Sequence, residues 1–160
     1  PLFQSLQQSM RDLRQIIEQA RPSVLALFGL VEAIDNHLDR SVRDSGLSIG
    51  WTLRDESDGA VERLPKPVLT ALFRITQEAI NNAVRHSQGN HINVRLGHAG
   101  GRFLIEIRDD GIGLNPELET AGSGIGNMKT RARLIGAQFT CRREATETVV
   151  KVTLPLPKEG

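Results

Sequence analysis

Phe73-Arg-Ile-Thr-Gln-Glu-Ala-Ile-Asn-Asn-Ala-Val-Arg-His86 writes two faces onto one helix. Leu72, Ile75, Ala79 and Ala83 recur at steps of three and four, an apolar row that must face a sheet. Phe73, Ile80 and Val84 add a second apolar row, and a polar stripe of Arg74, Glu78, Asn81, Asn82, Arg85 and His86 runs between them. Glu78, Asn82 and His86 are each four apart, so they stack on one side over two turns. One carboxylate, one amide oxygen and one protonatable ring make a poor all-protein metal cage. They suit Mg²⁺ held mainly by water and substrate phosphates, which needs only one or two protein oxygens. Taken alone, the stripe reads rather as a solvated helix face capped by Arg85 and His86. Pro65 and Pro67 mark the entry, so the helix is predicted over Val68 to about His86.

Outward from that helix the chain mixes strands and helices. Ile92, Val94 and Leu96 alternate, Gly100-Gly101 turn, and Phe103, Ile105 and Ile107 alternate again, the pattern of a hairpin. Leu47 to Leu53 alternates too, with a polar loop expected from Arg54 to Glu62. A helix from about Met128 to Leu134 ends at Gly136, and two strands, Gln138–Arg143 and Thr148–Leu154, close the chain. Towards the N-terminus, Val24, Leu27, Phe28, Leu30, Val31, Ile34 and Leu38 predict one helix ending near Ser45-Gly46. Before Arg21-Pro22, Phe3, Leu6, Met10, Leu13, Ile17 and Ala20 follow the a/d spacing of a helix that packs on other helices or, equally, of an amphipathic helix lying on its own domain. Strands and helices that mix without strict alternation imply an α/β chain of α+β type, a sheet with helices on one face.

Two glycine-rich stretches interrupt this pattern. Eight of the fifteen glycines lie between Gly97 and Gly126. Arg108-Asp109-Asp110-Gly111-Ile112-Gly113 ends an apolar strand, placing a carboxylate beside backbone that a flat ligand can approach closely. A buried Asp109 there can accept a hydrogen bond from an adenine amino group. Gly122-Ser123-Gly124-Ile125-Gly126-Asn127 leads into a helix, where exposed N–H groups and a positive dipole end attract anions. In isolation the first stretch is an ordinary turn and the second a linker. In this order, within about fifty residues, the three describe a metal, a base and a phosphate site. Together they read as Mg-ATP binding.

Composition narrows the alternatives. The chain has 160 residues, enough for one domain that buries roughly two thirds of its unfolded surface. Twenty basic against nineteen acidic residues leave a net charge of +1, which argues against nucleic acid or a membrane surface as partner. A single cysteine, Cys141, excludes an internal disulfide or a cysteine-rich zinc site. No apolar run reaches the ~20 residues of a membrane span.

The three stretches resemble the N, G1 and G2 boxes of the ATP-binding domain of sensor histidine kinases, in the GHKL group with DNA gyrase and the heat-shock chaperone ATPases. Phe73–His86 matches the N box, Asp109–Gly113 the G1 box and Gly122–Asn127 the G2 box, and Met128–Arg131 and Thr148–Pro155 fit the same pattern. Leu13-Arg14, Arg21-Pro22, Leu27, Gly29-Leu30 and Ala33-Ile34 are similar to the subfamily that pairs with helix-turn-helix response regulators. The resemblance implies a two-layer sandwich of the Bergerat type. Residues 1–21 would be a remnant of a dimerisation and histidine-phosphotransfer helix, and residues 22–160 the catalytic domain.

It also implies roles. Asn82 would ligate Mg²⁺, with Glu78 as a further ligand or as the base that activates the acceptor. Asp109 would take the adenine amino group, Thr148 would lie on the pocket floor, and His86 would approach the phosphates or ribose. Backbone at Gly111, Gly113, Gly122, Gly124 and Gly126 would line ATP and a lid hinged between Gly113 and Gly122. The expected partners are ATP, a response regulator and a histidine-bearing helix of the same or a partner subunit, in a cytoplasmic homodimer. The acceptor histidine followed by an acid is missing, and His37, followed by Leu38, lies on the wrong helix for it. His91 and His98 read as exposed strand residues, and Glu147 stands where the family generally has glycine. Two other functions fit less well: a different ATPase or serine kinase of the same fold, and a nucleotide-binding module without transfer.

Overall fold

The computed structural model describes residues 2–9, 24–86, 88–112 and 124–158. Its centre is a five-stranded sheet in the order β1-β2-β3-β5-β4. β1 (Gly50–Glu56) runs parallel to β2 (His91–Ala99), and the remaining pairs, with β3 (Arg102–Asp109), β4 (Gln138–Glu144) and β5 (Glu147–Pro155), are antiparallel. Alternation sorts each strand into two faces. Ile92, Val94, Leu96, Phe103, Ile105, Ile107, Val150, Val152 and Leu154 share the face covered by helices and are buried.

That cover comes from α3 (Leu30–Ser45), α4 (Lys66–His86) and α5 (Gly124–Leu134), with α4 packed against both others. The apolar row expected on α4 is buried, and Ile80 and Thr76 join it. Thr76 tolerates burial because its hydroxyl donates to the Leu72 carbonyl at 2.7 Å, one turn back. Leu72, Ile75 and Ile80 are fully buried, so truncating any of them to alanine should cost about 2–5 kcal/mol. The architecture is the expected mixed sheet with helices on one face.

Several boundaries differ from the sequence reading, each for a local reason. The helix expected across 24–45 is two: α2 (Val24–Phe28) and α3, separated at Gly29, whose φ of 90° and ψ of 179° are closed to other residues. Across the break Leu25 still packs against the core, while Leu27 and Phe28 are exposed. β1 begins at Gly50 rather than Leu47 and continues through Arg54 to Glu56, because β2 supplies partners along that whole length. The expected polar loop holds a 3₁₀ turn (Ala60–Arg63) that buries Ala60, Val61 and Leu64.

The last helix starts four residues early, so Gly124 and Gly126 belong to its first turn rather than to a loop. Residues 2–9 form α1 and expose Leu2, Phe3 and Leu6; the later heptad positions and Arg21-Pro22 lie outside the described residues.

Candidate active site

One end of the sheet gathers the residues singled out above. β3 ends there at Asp109, which lies opposite Ile92 near the start of β2 and opposite Thr148 near the start of β5. α4 ends at His86, just before β2 begins, so its C-terminal half overlies the same end. α5 also starts there. It runs away from this end to reach β4, whose last residues return beside Thr148.

Asp109 and Thr148 are both buried and sit side by side on the helix-covered face. Asp109 Oδ1 accepts the Gly111 N–H at 3.1 Å, which folds the Asp-X-Gly turn back on the carboxylate. Burial raises the Asp109 pKa above its ordinary value, against the Gly111 N–H and the charge of Arg143, which pull it down. Its neighbour has a different task. Asp110 is exposed, and its Oδ1 accepts the N–H groups of Asn90 at 2.8 Å and His91 at 2.9 Å. Those bonds, His91 first, hold its pKa below the ordinary value. Asp110 therefore pins the approach to β2, and Asp109 lies buried on the helix-covered face.

Glu78 meets α5 at its N-terminus. A Cβ placed on Gly124 would stand 2.1 Å from Glu78 Oε1 and 2.9 Å from its Cδ, so only glycine lets this carboxylate lie against the helix end. The contact puts an acidic oxygen beside the positive end of α5, which has no acid of its own in its first turn. Among the described residues no group of three or more His, Cys, Asp and Glu could enclose a metal. The oxygens available on α4, from Glu78 and Asn82, fit an Mg²⁺ that takes its other ligands from phosphates and water.

The polar stripe of α4 divides. Asn81 Oδ1 lies 3.0 Å from His37 Nε2 on α3, and the His37 ring meets Phe73 edge-on at 6.3 Å between centroids. Asn81 and His37 thus clamp two helices together, while Asn82, one residue on, turns about 100° away. His86, at the end of α4, is exposed. His91 is half-buried rather than exposed, because it lies across β1 with Nε2 3.4 Å from Thr52 Oγ1. His98 is exposed and pairs with Asp58 at 2.9 Å. Glu147 falls on the open face of the sheet, away from Thr148, and pairs with Arg108 at 3.6 Å. Gly113 and Gly122, with the expected hinged lid between them, lie outside the described residues.

Sequence reasoning missed Arg143. It projects from β4 on the same face as Thr148, and its Nη1 donates to Thr148 Oγ1 at 3.1 Å. Only its position opposite Thr148 marks it, and that depends on the β4–β5 register.

An acceptor at the base of a sheet end, a glycine-started helix and an oxygen-bearing helix beside it define an ATP-binding class of domain. The model for histidine kinase-, DNA gyrase B-, and HSP90-like ATPases matches residues 68–158, and the chain belongs to this family. It is 32% identical to the sensor protein VraS of Staphylococcus aureus (strain COL) over 99% of this chain and 44% of VraS. It is 26% identical to the signal transduction histidine-protein kinase/phosphatase DegS of Brevibacillus brevis, over 99% of this chain and 40% of DegS. The chain thus spans less than half the length of these relatives. A blue-light activated histidine kinase of Erythrobacter litoralis EL346 shares the fold, with a TM-score of 0.67 at 18% identity over 79% of this chain and 42% of that one. No helix among the described residues is long and apolar enough to cross a membrane.

Proposed function

We propose that this chain is the catalytic part of a sensor histidine kinase, binding Mg-ATP and passing the γ-phosphoryl group to a histidine on a dimerisation helix. The observation that carries the reading is the placement of Glu78 against Gly124 at the same sheet end as buried Asp109 and Thr148. Base-reading and phosphate-facing groups then share one cleft. Asp109 accepts the adenine amino group, Asn82 offers an amide oxygen to Mg²⁺, and the backbone at Gly111, Gly124 and Gly126 lines the nucleotide. His86 stands where a basic group would meet the phosphates or ribose.

Mg²⁺, when bound, neutralises phosphate charge; phosphoryl transfer otherwise depends on positioning and preorganised charge. Glu78 has two roles open to it, orienting the metal's water shell or drawing the proton from the acceptor imidazole. The acceptor belongs to the same or a partner subunit, and a response regulator takes the phosphoryl group onward in the cytoplasm. Residues 1–21 are read as part of the dimerisation helix, and residues 22–160 as the ATP domain.

Incubation with Mg²⁺ and γ-labelled ATP tests the reading. This chain alone should stay unlabelled, whereas a histidine-bearing dimerisation helix from the same protein, added in trans, should acquire label that base does not remove and acid does. Strong self-labelling at His37 would contradict the assignment, as would failure to bind ATP.

A further inference from the structure

Arg143 changes what the neighbouring hydroxyl can say. A hydroxyl carries one O–H donor and two lone pairs and rotates to suit its partners, whereas a guanidinium only donates and never loses its charge. Arg143 Nη1 occupies a lone pair of Thr148 Oγ1 at 3.1 Å. Arg143 cannot accept the O–H in return, and its charge weakens the remaining lone pair and strengthens the O–H as a donor, so the hydroxyl meets a ligand preferentially through its O–H. Directly across the strand pair stands Asp109, an acceptor when ionised. This end of the sheet therefore presents an acceptor and a donor side by side, both on buried residues.

We propose that Arg143 sets the purine specificity of this site by holding Thr148 as a hydrogen-bond donor. An acceptor beside a donor matches the adenine edge, whose amino group lies next to a ring nitrogen with a free lone pair. It opposes hypoxanthine and guanine, which present a carbonyl next to a ring N–H. A neutral partner able to both donate and accept, such as glutamine, would leave the hydroxyl free to reverse. The proposal rests on the reading above that Asp109 takes the amino group. Arg143 acts through Thr148 and is a positioning residue; its own side chain is exposed at the rim.

Calorimetric titration of the Mg²⁺ complexes of ATP and ITP, with thermal melting of each variant, tests it. Arg143→Met keeps the aliphatic length without a donor. It should shrink the wild-type preference for ATP over ITP by about tenfold, mostly through weaker ATP binding, with the melting temperature little changed. Arg143→Lys, which still donates and cannot accept, should keep the preference within about threefold. Thr148→Val should shrink it as Arg143→Met does, and the double variant should go no further, the sign of one coupled device. An unchanged ATP-to-ITP ratio in Arg143→Met, or equal weakening of both nucleotides, overturns the proposal while leaving the site intact. Unchanged ATP affinity in Asp109→Asn would instead overturn the site reading beneath it.

Discussion

Two carboxylates on one strand, three residues apart and on opposite faces, meet opposite fates. Glu106 and Asp109 are about equally buried, at 7% and 8% exposure, so burial does not separate them. Their partners do. On the open face Glu106 is ringed by Arg95 at 3.4 Å, Arg108 at 3.3 Å and Lys151 at 3.7 Å, the middle of a cross-strand charge ladder. Arg108 goes on to Glu144 and Glu147; burial lowers its pKa, but Glu106 first and these two acids after it outweigh that and raise it. Asp109, on the helix-covered face, accepts the Gly111 N–H, and the nearby cation Arg143 gives its hydrogen bond to Thr148 instead. A buried acid with its acceptor capacity filled by cations holds a sheet together. One left with spare capacity costs stability until a ligand supplies the missing donor.

Exchanging each acid for its amide breaks or sharpens this contrast. Asp109→Asn should weaken ATP binding more than about a hundredfold by calorimetry, since the amide presents a donor group where an acceptor is needed. Glu106→Gln should leave ATP affinity within about twofold, yet lower the melting temperature by roughly 3–6 °C through the loss of about 1–2 kcal/mol from partly exposed pairs. Equal loss of affinity in both variants would erase the distinction between the faces.

Next in size, Asn82→Ala should remove most of the roughly tenfold gain in ATP affinity expected from Mg²⁺, with circular dichroism unchanged. Gly124→Ala should come close behind. The new methyl displaces the Glu78 carboxylate, so transfer to an added histidine helix should fall about tenfold while stability moves by less than about 1 kcal/mol, alanine being the better helix former. Transfer at the wild-type rate would show that the Glu78 position does not matter.

The smallest effect is one of pH. Because the folded-state pKa of Asp109 is raised, its contribution to stability is fully present below its ordinary value of 3.8 and is lost as pH rises through the folded value. Asp109→Asn should therefore melt above wild type near pH 7, with the gap closing as pH falls below about 4. A gap that widened in acid would mean that the carboxylate is stabilised in the folded state, as Asp110 is.

Much of the frame was legible because periodicity is local. The α4 face, the β2–β3 hairpin and the closing pair of strands follow from alternation and from steps of three and four, which burial confirms. Element ends were less legible. β1 reaches Glu56 because a parallel neighbour receives it, and α5 starts at Gly124 although glycine is a poor helix former. The amides show the same limit at one residue's resolution. Asn81 and Asn82 are identical in composition and adjacent in sequence, yet one is spent on His37.

What the sequence by itself determined was most of the elements, the buried face of α4 and the three motifs, since each is a pattern within one short segment. Their order also carried the ATP-binding family. The tertiary structure alone decided which polar groups face one another: Asp109 with Thr148, Thr148 with Arg143, Glu78 with Gly124, His37 with Asn81. Those pairings join residues on different elements, most of them tens of positions apart. Strand register and helix packing set them, and a one-residue slip in register would turn every side chain to the other face.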